Sequence, residues 1–302
     1  MKNHVFLIIA HNNPQYLFNL VRWLNAPNHF FVVHIDKKSV GMLNSDAIKN
    51  LQMLDNVDVF SEYSANWGGQ NMILCTIEVL KRAKEKFPSF DWVHLISGSH
   101  IPLKSNADFD SVFEDTKYMG FMGGVNLSEQ SMKRLVEERM CLYYFNDFHN
   151  RRSHDLLGIA MRVVESVEKF FFRCGVRFRK PLNMKYEKGA NWFLWNCDLV
   201  NYVLEFVKAN NWYVDRFRYT SCCDEVFFHI ILANSPYWDK ICKKNLLYVD
   251  WTHLDPDEKS LPHTLHAGDY ERIKQNTDCV FARKVDPVKS KELIEKIVQS
   301  LS

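Results

Sequence analysis

The chain lacks any apolar run approaching the roughly 18 residues that a membrane-spanning helix needs. Its N-terminal apolar stretch, Val5 to Ala10, is short and carries no signal-type cleavage site, so it reads as a strand rather than a leader. Charge of one sign is also missing. Lys and Arg number 38 against 36 Asp and Glu, a formal +2, which argues against a sequence-independent nucleic-acid binder that would need a basic excess to displace counterions. The eight cysteines (Cys75, Cys141, Cys174, Cys197, Cys222, Cys223, Cys242 and Cys279) show no CxxC spacing and read as reduced thiols of a cytosolic protein. Twelve histidines show no HxxxH spacing, so no zinc is expected and a metal hydrolase ranks last among the readings. Neither GxGxxG nor GxxxxGK[ST] occurs, so a bound nucleotide would be held without a glycine-rich phosphate loop. Internal repeats and low-complexity tracts are absent as well.

What remains is 302 residues, 47% hydrophobic and 25% charged, a composition that excludes disorder and supports a sizeable core. The first half alternates short β-branched or aromatic runs with helical patterns, the signature of an α/β fold with a largely parallel sheet. Strands are expected at His4 to Ala10, Phe30 to Ile35, Val57 to Phe60, Trp92 to Ser97 and Tyr118 to Met122. In Asn71 to Lys86, the residues Met72, Cys75, Thr76, Val79, Leu80 and Ala83 share one helical face. Later come a helix at His154 to Phe171, a strand at Asn191 to Trp195, helices at Leu199 to Ala209 and Asp224 to Leu232, a strand at Leu246 to Trp251, and a terminal helix at Lys289 to Leu301. Open parallel sheets bind ligands beyond the carboxyl ends of their strands. The segments after those strands, including His11-Asn12-Asn13, Asp36 to Ser39, Ser64 to Gln70 and Ser97 to Lys104, therefore mark the expected site.

Several short motifs carry two readings each. Trp67-Gly68-Gly69-Gln70 precedes a helix, so its backbone N–H groups could face an anionic ligand, or the glycines simply start the helix. Two DxD strings suggest a divalent cation, yet Asp108-Phe109-Asp110 sits where caps are expected and Asp255-Pro256-Asp257 lies in a polar turn. The pair Asp224-Glu225 is either an N-cap with its dipole complement or a general base on a rigid element. Arg283-Lys284 either meets a phosphate or is solvated.

Taken in order, Ile8-Ile-Ala-His-Asn-Asn13, Val33-His-Ile-Asp-Lys-Lys-Ser39, Ala65-Asn-Trp-Gly-Gly69, Leu95 to Lys104, Lys188-Gly-Ala-Asn-Trp-Phe193, Asp224-Glu-Val-Phe-Phe-His229, Asn234-Ser-Pro236 and Phe281 to Asp286 resemble the core-2/I-branching glycosyltransferase family. The resemblance covers most of the chain and is loosest over 124–188. It implies a single GT-A-type catalytic domain over 1–302, with a nucleotide-binding half (1–123), a variable insertion or lid (124–188) and an acceptor-binding, catalytic half (189–302). It further implies inverting, metal-independent transfer from a UDP-sugar to a glycan hydroxyl, with no cofactor. N-acetylglucosamine is the favoured sugar and xylose the alternative.

By the same resemblance Glu225 is the general base, and Lys284, assisted by Arg283, neutralises the departing diphosphate. Asp36 meets the uracil beside His11, Trp67 and Gly68 complete the donor side, and Trp251, His253 and Asn191 face the acceptor. Two positions depart from the family pattern. His100 replaces an expected Asp, and His263 stands at an expected second basic position, where it would carry charge only when protonated. These departures motivate a rival reading, a catalytically silent glycan-binding scaffold. The expected partners are a UDP-sugar and a glycan or lipid-linked glycan, without nucleic acid. Like bacterial family members, the protein is expected in the cytoplasm, and the aromatic, basic stretch Phe170 to Lys180 suggests peripheral contact with the inner face of an anionic membrane.

Overall fold

The structure is a computed structural model that describes residues 1–149, 153–253 and 261–301. Asp255 and Asp257 lie outside the described residues. Ten strands occur among the described residues: β1 (His4–Ala10), β2 (His29–Ile35), β3 (Val57–Phe60), β4 (Trp92–Ser97), β5 (Ile101–Pro102), β6 (Gly120–Gly124), β7 (Gly189–Asn196), β8 (Ile241–Cys242), β9 (Leu247–Val249) and β10 (Phe281–Arg283). The fold is α/β, and most strand pairings are parallel. The chain divides into two compact units, one of Met1–Ser61, Arg82–Lys117 and Lys244–Ser302, the other of Glu62–Lys81 and Tyr118–Lys243.

In the first unit β1 pairs in parallel with β2 and β4, and β2 with β3. β1 is buried along its whole length, which explains its unbroken apolar run: a central parallel strand has no solvent face. The helix Pro14–Leu24 starts on a proline, whose missing N–H needs no partner there, and buries Tyr16, Leu17, Leu20, Val21 and Leu24. A smaller sheet pairs β10 antiparallel with β5 and parallel with β9. Because β1, β2 and β4 run in register, Ala10 opposite Ile35 and Ile9 opposite Ser97, the segments that follow them leave from one end of the sheet.

The opposite end of β1 holds an unusual polar core. His29 directs Nε2 to Asp110 Oδ1 at 2.8 Å and Nδ1 to Leu24 O at 2.6 Å. His4 lies 2.8 Å from His94, ring nitrogen to ring nitrogen, and Asn28 donates to Asp110 at 2.8 Å. Phe109 and Phe113 pack edge-on against His4 and His94. Asp108 behaves as expected of a helix start, its amide donating to the Ser105 cap at 3.2 Å. Asp110, two residues on, is instead the buried acceptor of this histidine cluster.

In the second unit β6 pairs antiparallel with β7 and parallel with β8. Gly189, at the start of β7, is required by contact: a Cβ there would sit 1.8 Å from Gly123 O and 2.5 Å from His229 Nε2. The helix Asn71–Lys86 falls where its periodicity places it, with Cys75, Thr76, Val79, Leu80 and Ala83 buried. The expected helix Asp224 to Leu232 is broken in two. A 3-10 turn, Cys223–Glu225, precedes the helix Phe227–Ala233, because Cys222 takes a left-handed conformation (φ 46°) and Val226 leaves the helical region.

Burial pushes the imidazoles of His4, His34 and His229 down to about 4 and lowers those of His94 and His100 too. An unfolded histidine takes its proton near its ordinary value of about 6.5, whereas these folded ones resist until far lower pH. Their contribution to stability is therefore complete above about pH 6.5 and is lost as pH falls toward 4. Thermal melts followed by circular dichroism should show a Tm at pH 5 lower than at pH 7 by at least about 5 °C. An unchanged Tm over that interval would show that these rings are not held neutral.

Candidate active site

Glu225 occupies the 3-10 turn rather than a helix N-terminus, so its carboxylate caps no helix. It is instead gripped by two cations. Arg139 Nη1, from the helix Glu129–Cys141, stands 2.7 Å away, and Lys188 Nζ, just before β7, stands 3.0 Å away. Burial raises the Glu225 pKa, but Lys188 and Arg139 outweigh it and leave the group below the ordinary glutamate range. Its neighbour Asp224 moves the other way, up to about 6, through burial first and then the charge of Glu225. The environment thus splits the pair: Glu225 is held ionised, while Asp224 takes up a proton near neutrality. The sequence pattern alone reads Asp224-Glu225 as a cap or a base, with the base role implied by the family resemblance, and it gives no sign of Arg139 or of the part played by Lys188. Neither cation is near Glu225 in sequence, so no spacing rule exposes them.

The turn carrying Glu225 is braced by the glycine segment. Gly68 O accepts from Cys222 N at 3.0 Å and from Asn146 Nδ2 at 3.1 Å, and Cys223 Sγ approaches Gly69 O at 3.0 Å. Gly68 adopts φ +72°, where a Cβ would stand 3.2 Å from Cys222 N. The N–H groups at the start of the helix Asn71–Lys86 do not await an anionic ligand. Gln70 N donates to Asp147 Oδ2 at 2.6 Å and Asn71 N to Asp147 Oδ1 at 3.3 Å. A carboxylate from elsewhere in the same unit already satisfies the orphan donors. Trp67 is exposed, and Asn191 lies half-buried on β7, three residues beyond Lys188.

The remaining candidates belong to the first unit. His11 and Asp36 follow the neighbouring strands β1 and β2. Asp36 N donates to Ala10 O at 2.8 Å, Ser39 Oγ to His11 O at 2.6 Å, and Lys38 N to Asp36 Oδ1 at 2.8 Å. The Asp36 carboxylate is thus buried and oriented by its own turn. Arg283 ends β10 and Lys284 follows it, and Asp250 and Trp251 follow β9. Since Arg283 pairs with Val249 in a parallel ladder, both segments leave from the same end of the small sheet. Arg283 is pulled down to about 10 by burial, which still leaves it cationic at neutral pH. Trp251 is exposed, whereas His253 is tied to Asp250 Oδ2 at 2.7 Å. Burial raises the Asp250 pKa, but hydrogen bonds from Thr252 and His253 outweigh it and hold the carboxyl well below its ordinary range.

The two positions that depart from the family pattern are both interior. His100 is fully buried, with Nδ1 3.0 Å from Ser97 N and 2.9 Å from Ser97 Oγ; burial, then the charge of Arg283, keeps it neutral. His263 is also buried, its Nε2 3.3 Å from Asp269 Oδ2. Its ring is therefore engaged with a carboxylate of the fold instead of being presented to a phosphate. Among the described residues two donor groups are close enough to share a cation, His4–His29–Asp110 and His263–His266–Asp269. In each the carboxylate already has partners: Asp110 bonds His29 and Asn28, and Asp269 bonds Arg272 and the His266 amide. A cleft of about 640 Å³ lies along the helices Pro14–Leu24 and Lys291–Ser300, and none of the sequence-predicted site residues lines it. No described helix is long and apolar enough to cross a membrane.

Xylosyltransferase 1 of Rattus norvegicus is 24% identical over 317 residues, covering 97% of this chain and 34% of that protein. Xylosyltransferase 2 of the same species is 24% identical over 315 residues, covering 96% and 32%. Xylosyltransferase sqv-6 of Caenorhabditis briggsae is 22% identical over 244 residues, covering 79% and 27%. The chain thus spans about a third of the length of these relatives. Among solved structures, the galactosyltransferase LgtC, crystallised with donor and acceptor sugar analogues, aligns over 99% of this chain and 96% of its own at 12% identity and a TM-score of 0.38, too low to carry a fold assignment by itself. The family model of the Core-2/I-Branching enzyme matches residues 5–274, and the chain belongs to that family.

Proposed function

We propose that the protein is a glycosyltransferase of GT-A type that moves a sugar from a UDP-sugar to a glycan hydroxyl with inversion, without a metal ion. The observation that carries this reading is the Glu225 carboxylate, ionised between Arg139 and Lys188 on a braced turn. A sugar hydroxyl is a poor nucleophile, so its proton must leave as the new C–O bond forms. Glu225 is the group that accepts it. The two cations keep the base ionised at neutral pH while lowering its intrinsic basicity, which suits proton transfer concerted with attack, when the hydroxyl is becoming acidic. On the donor side Asp36 orients the uracil with His11, and Lys284 and Arg283 balance the charge that grows on the leaving diphosphate. Metal independence follows from the family resemblance, and of the two DxD strings the one among the described residues is otherwise employed, Asp108 at a helix cap and Asp110 in the histidine cluster.

Two sugars fit this reading. N-acetylglucosamine follows from the resemblance to the branching enzymes, and xylose is favoured by the named relatives, which are xylosyltransferases. Calorimetry with UDP, UDP-N-acetylglucosamine, UDP-xylose and UDP-glucose in EDTA should single out one UDP-sugar. Lys284→Ala should weaken its binding at least tenfold. Absence of nucleotide binding, with or without Mn²⁺, would sink the transferase reading and leave the silent scaffold.

Glu225→Gln should lower kcat by about 10²- to 10⁴-fold with little change in donor binding. Wild-type turnover from the variant would remove Glu225 from the chemistry. Lys188→Ala removes a charge that depresses the Glu225 pKa, so the acidic limb of kcat/KM should move to higher pH. A limb that stays in place would mean that Glu225 does not set it.

A further inference from the structure

The helix Leu156–Arg173 is fastened to the second unit along one side only. Its Asp155 cap accepts from Gly158 N at 2.8 Å. The buried Glu168 carboxylate accepts from Tyr143 N at 2.8 Å, and Phe172 joins Cys141, Leu142 and Tyr144 in a buried cluster. The opposite side should then be polar, and it is not. Leu156, Ile159, Val163, Val167 and Phe170 recur at helical spacing and stand exposed, Leu156 by 87% and Phe170 by 64%. A shallow groove of about 460 Å³ runs along this face. Phe171 meets Phe178 edge-on, ring centroids 6.1 Å apart, so the apolar surface continues past the helix end. Contiguous exposed patches of this kind mark an interaction surface.

The charge beside it identifies what the surface meets. Residues 156–180 contain six basic side chains, Arg162, Lys169, Arg173, Arg177, Arg179 and Lys180, against the acidic Glu165 and Glu168. Glu168 points into the core, Glu165 is paired with Lys169 at 2.7 Å, Arg177 is paired with Glu137 at 3.2 Å and Arg179 turns inward to the carbonyls of Leu142 and Arg216, so the basic charge presented at this surface comes chiefly from Arg162, Arg173 and Lys180. Projected at 100° per residue, Arg162, Lys169 and Arg173 flank the apolar arc along one border. A second copy of this chain would bring a like-charged border against it, whereas anionic headgroups complement it. With five charged residues among its 18, the helix suits lying in an interface rather than crossing it.

We propose that this helix, with the following segment to Lys180, docks the protein flat onto an anionic lipid surface, its apolar arc among the acyl chains and its basic border at the headgroups. The assignment stands on this surface alone and does not depend on the identity of the donor sugar. Co-sedimentation of the full chain with vesicles of phosphatidylcholine containing about 30% phosphatidylglycerol should show binding at least tenfold tighter than to phosphatidylcholine alone, weakened by salt. Val163→Asp with Val167→Asp should lose at least tenfold of that binding, and so should Arg173→Glu with Lys180→Glu. All four side chains are exposed, so both variants should keep the wild-type Tm and donor binding. Failure to bind the anionic vesicles, or undiminished binding by either variant, would overturn the assignment. So would a wild-type dimer in light scattering that becomes monomeric in the Val163, Val167 variant, since the face would then serve self-association.

Discussion

The carboxylate of Glu225 between Arg139 and Lys188 is the constraint around which the second unit is arranged. Three charges brought partly out of water are expensive to place, and leaving one unmatched would be more so. The fold meets that demand from three directions: the last turn of one helix, the residue before β7, and a 3-10 turn forced by the left-handed Cys222. Each needs its own local support. Gly68 and Gly69 brace the turn through their carbonyls, and Asp147 secures the start of the helix that follows those glycines. Much of what looks like loop between 62 and 70 is therefore scaffolding for one carboxylate.

The first unit answers a different demand, that of burying polar groups in a sheet with no wet face. His4, His29, His94, Asn28 and Asp110 form a hydrogen-bonded island among phenylalanines at one end of the strands. His11 and Asp36 occupy the other end. Polar residues thus sit at both ends of β1 for separate reasons, and only geometry tells them apart. His100 and His263 show the same ambiguity: expected from the resemblance to stand where charge is needed, they are interior side chains engaged with Ser97 and Asp269.

What could be read from the sequence was local. β1, β3, β4 and the helix Asn71–Lys86 fall at the residues that periodicity and β-branched runs indicate, because their burial is set by their own pattern. The capping role of Asp108 was equally legible from Ser105 three residues before it. β6 lies two residues later than expected, and the helix expected from Asp224 is interrupted. In both cases backbone geometry decides, through Gly120 packed against Leu199 and Trp195 and through the left-handed Cys222. Glu225, Lys284 and Asp36 were reached through an ordered set of motifs rather than through physics. Arg139 and Asp147 carried no signal, since an arginine in a helix and an aspartate in a loop are ordinary until the chain folds them onto partners far away in sequence.

Gly189 gives the proton chemistry a steric origin. Hydrogen is the only substituent that fits between the Cα of residue 189 and Gly123 O, and that fit lets β7 start close against the irregular end of β6, where Gly189 pairs with Gly124. Lys188, the preceding residue, inherits its position from this contact, and with it the strength of its field on Glu225. The share of the carboxylate's acidity that comes from Lys188 thus traces to a neutral clearance at the neighbouring residue, beside the contribution of Arg139. A single methyl group at residue 189 would force the backbone beside Lys188 to shift while leaving every charged residue of the protein in the sequence.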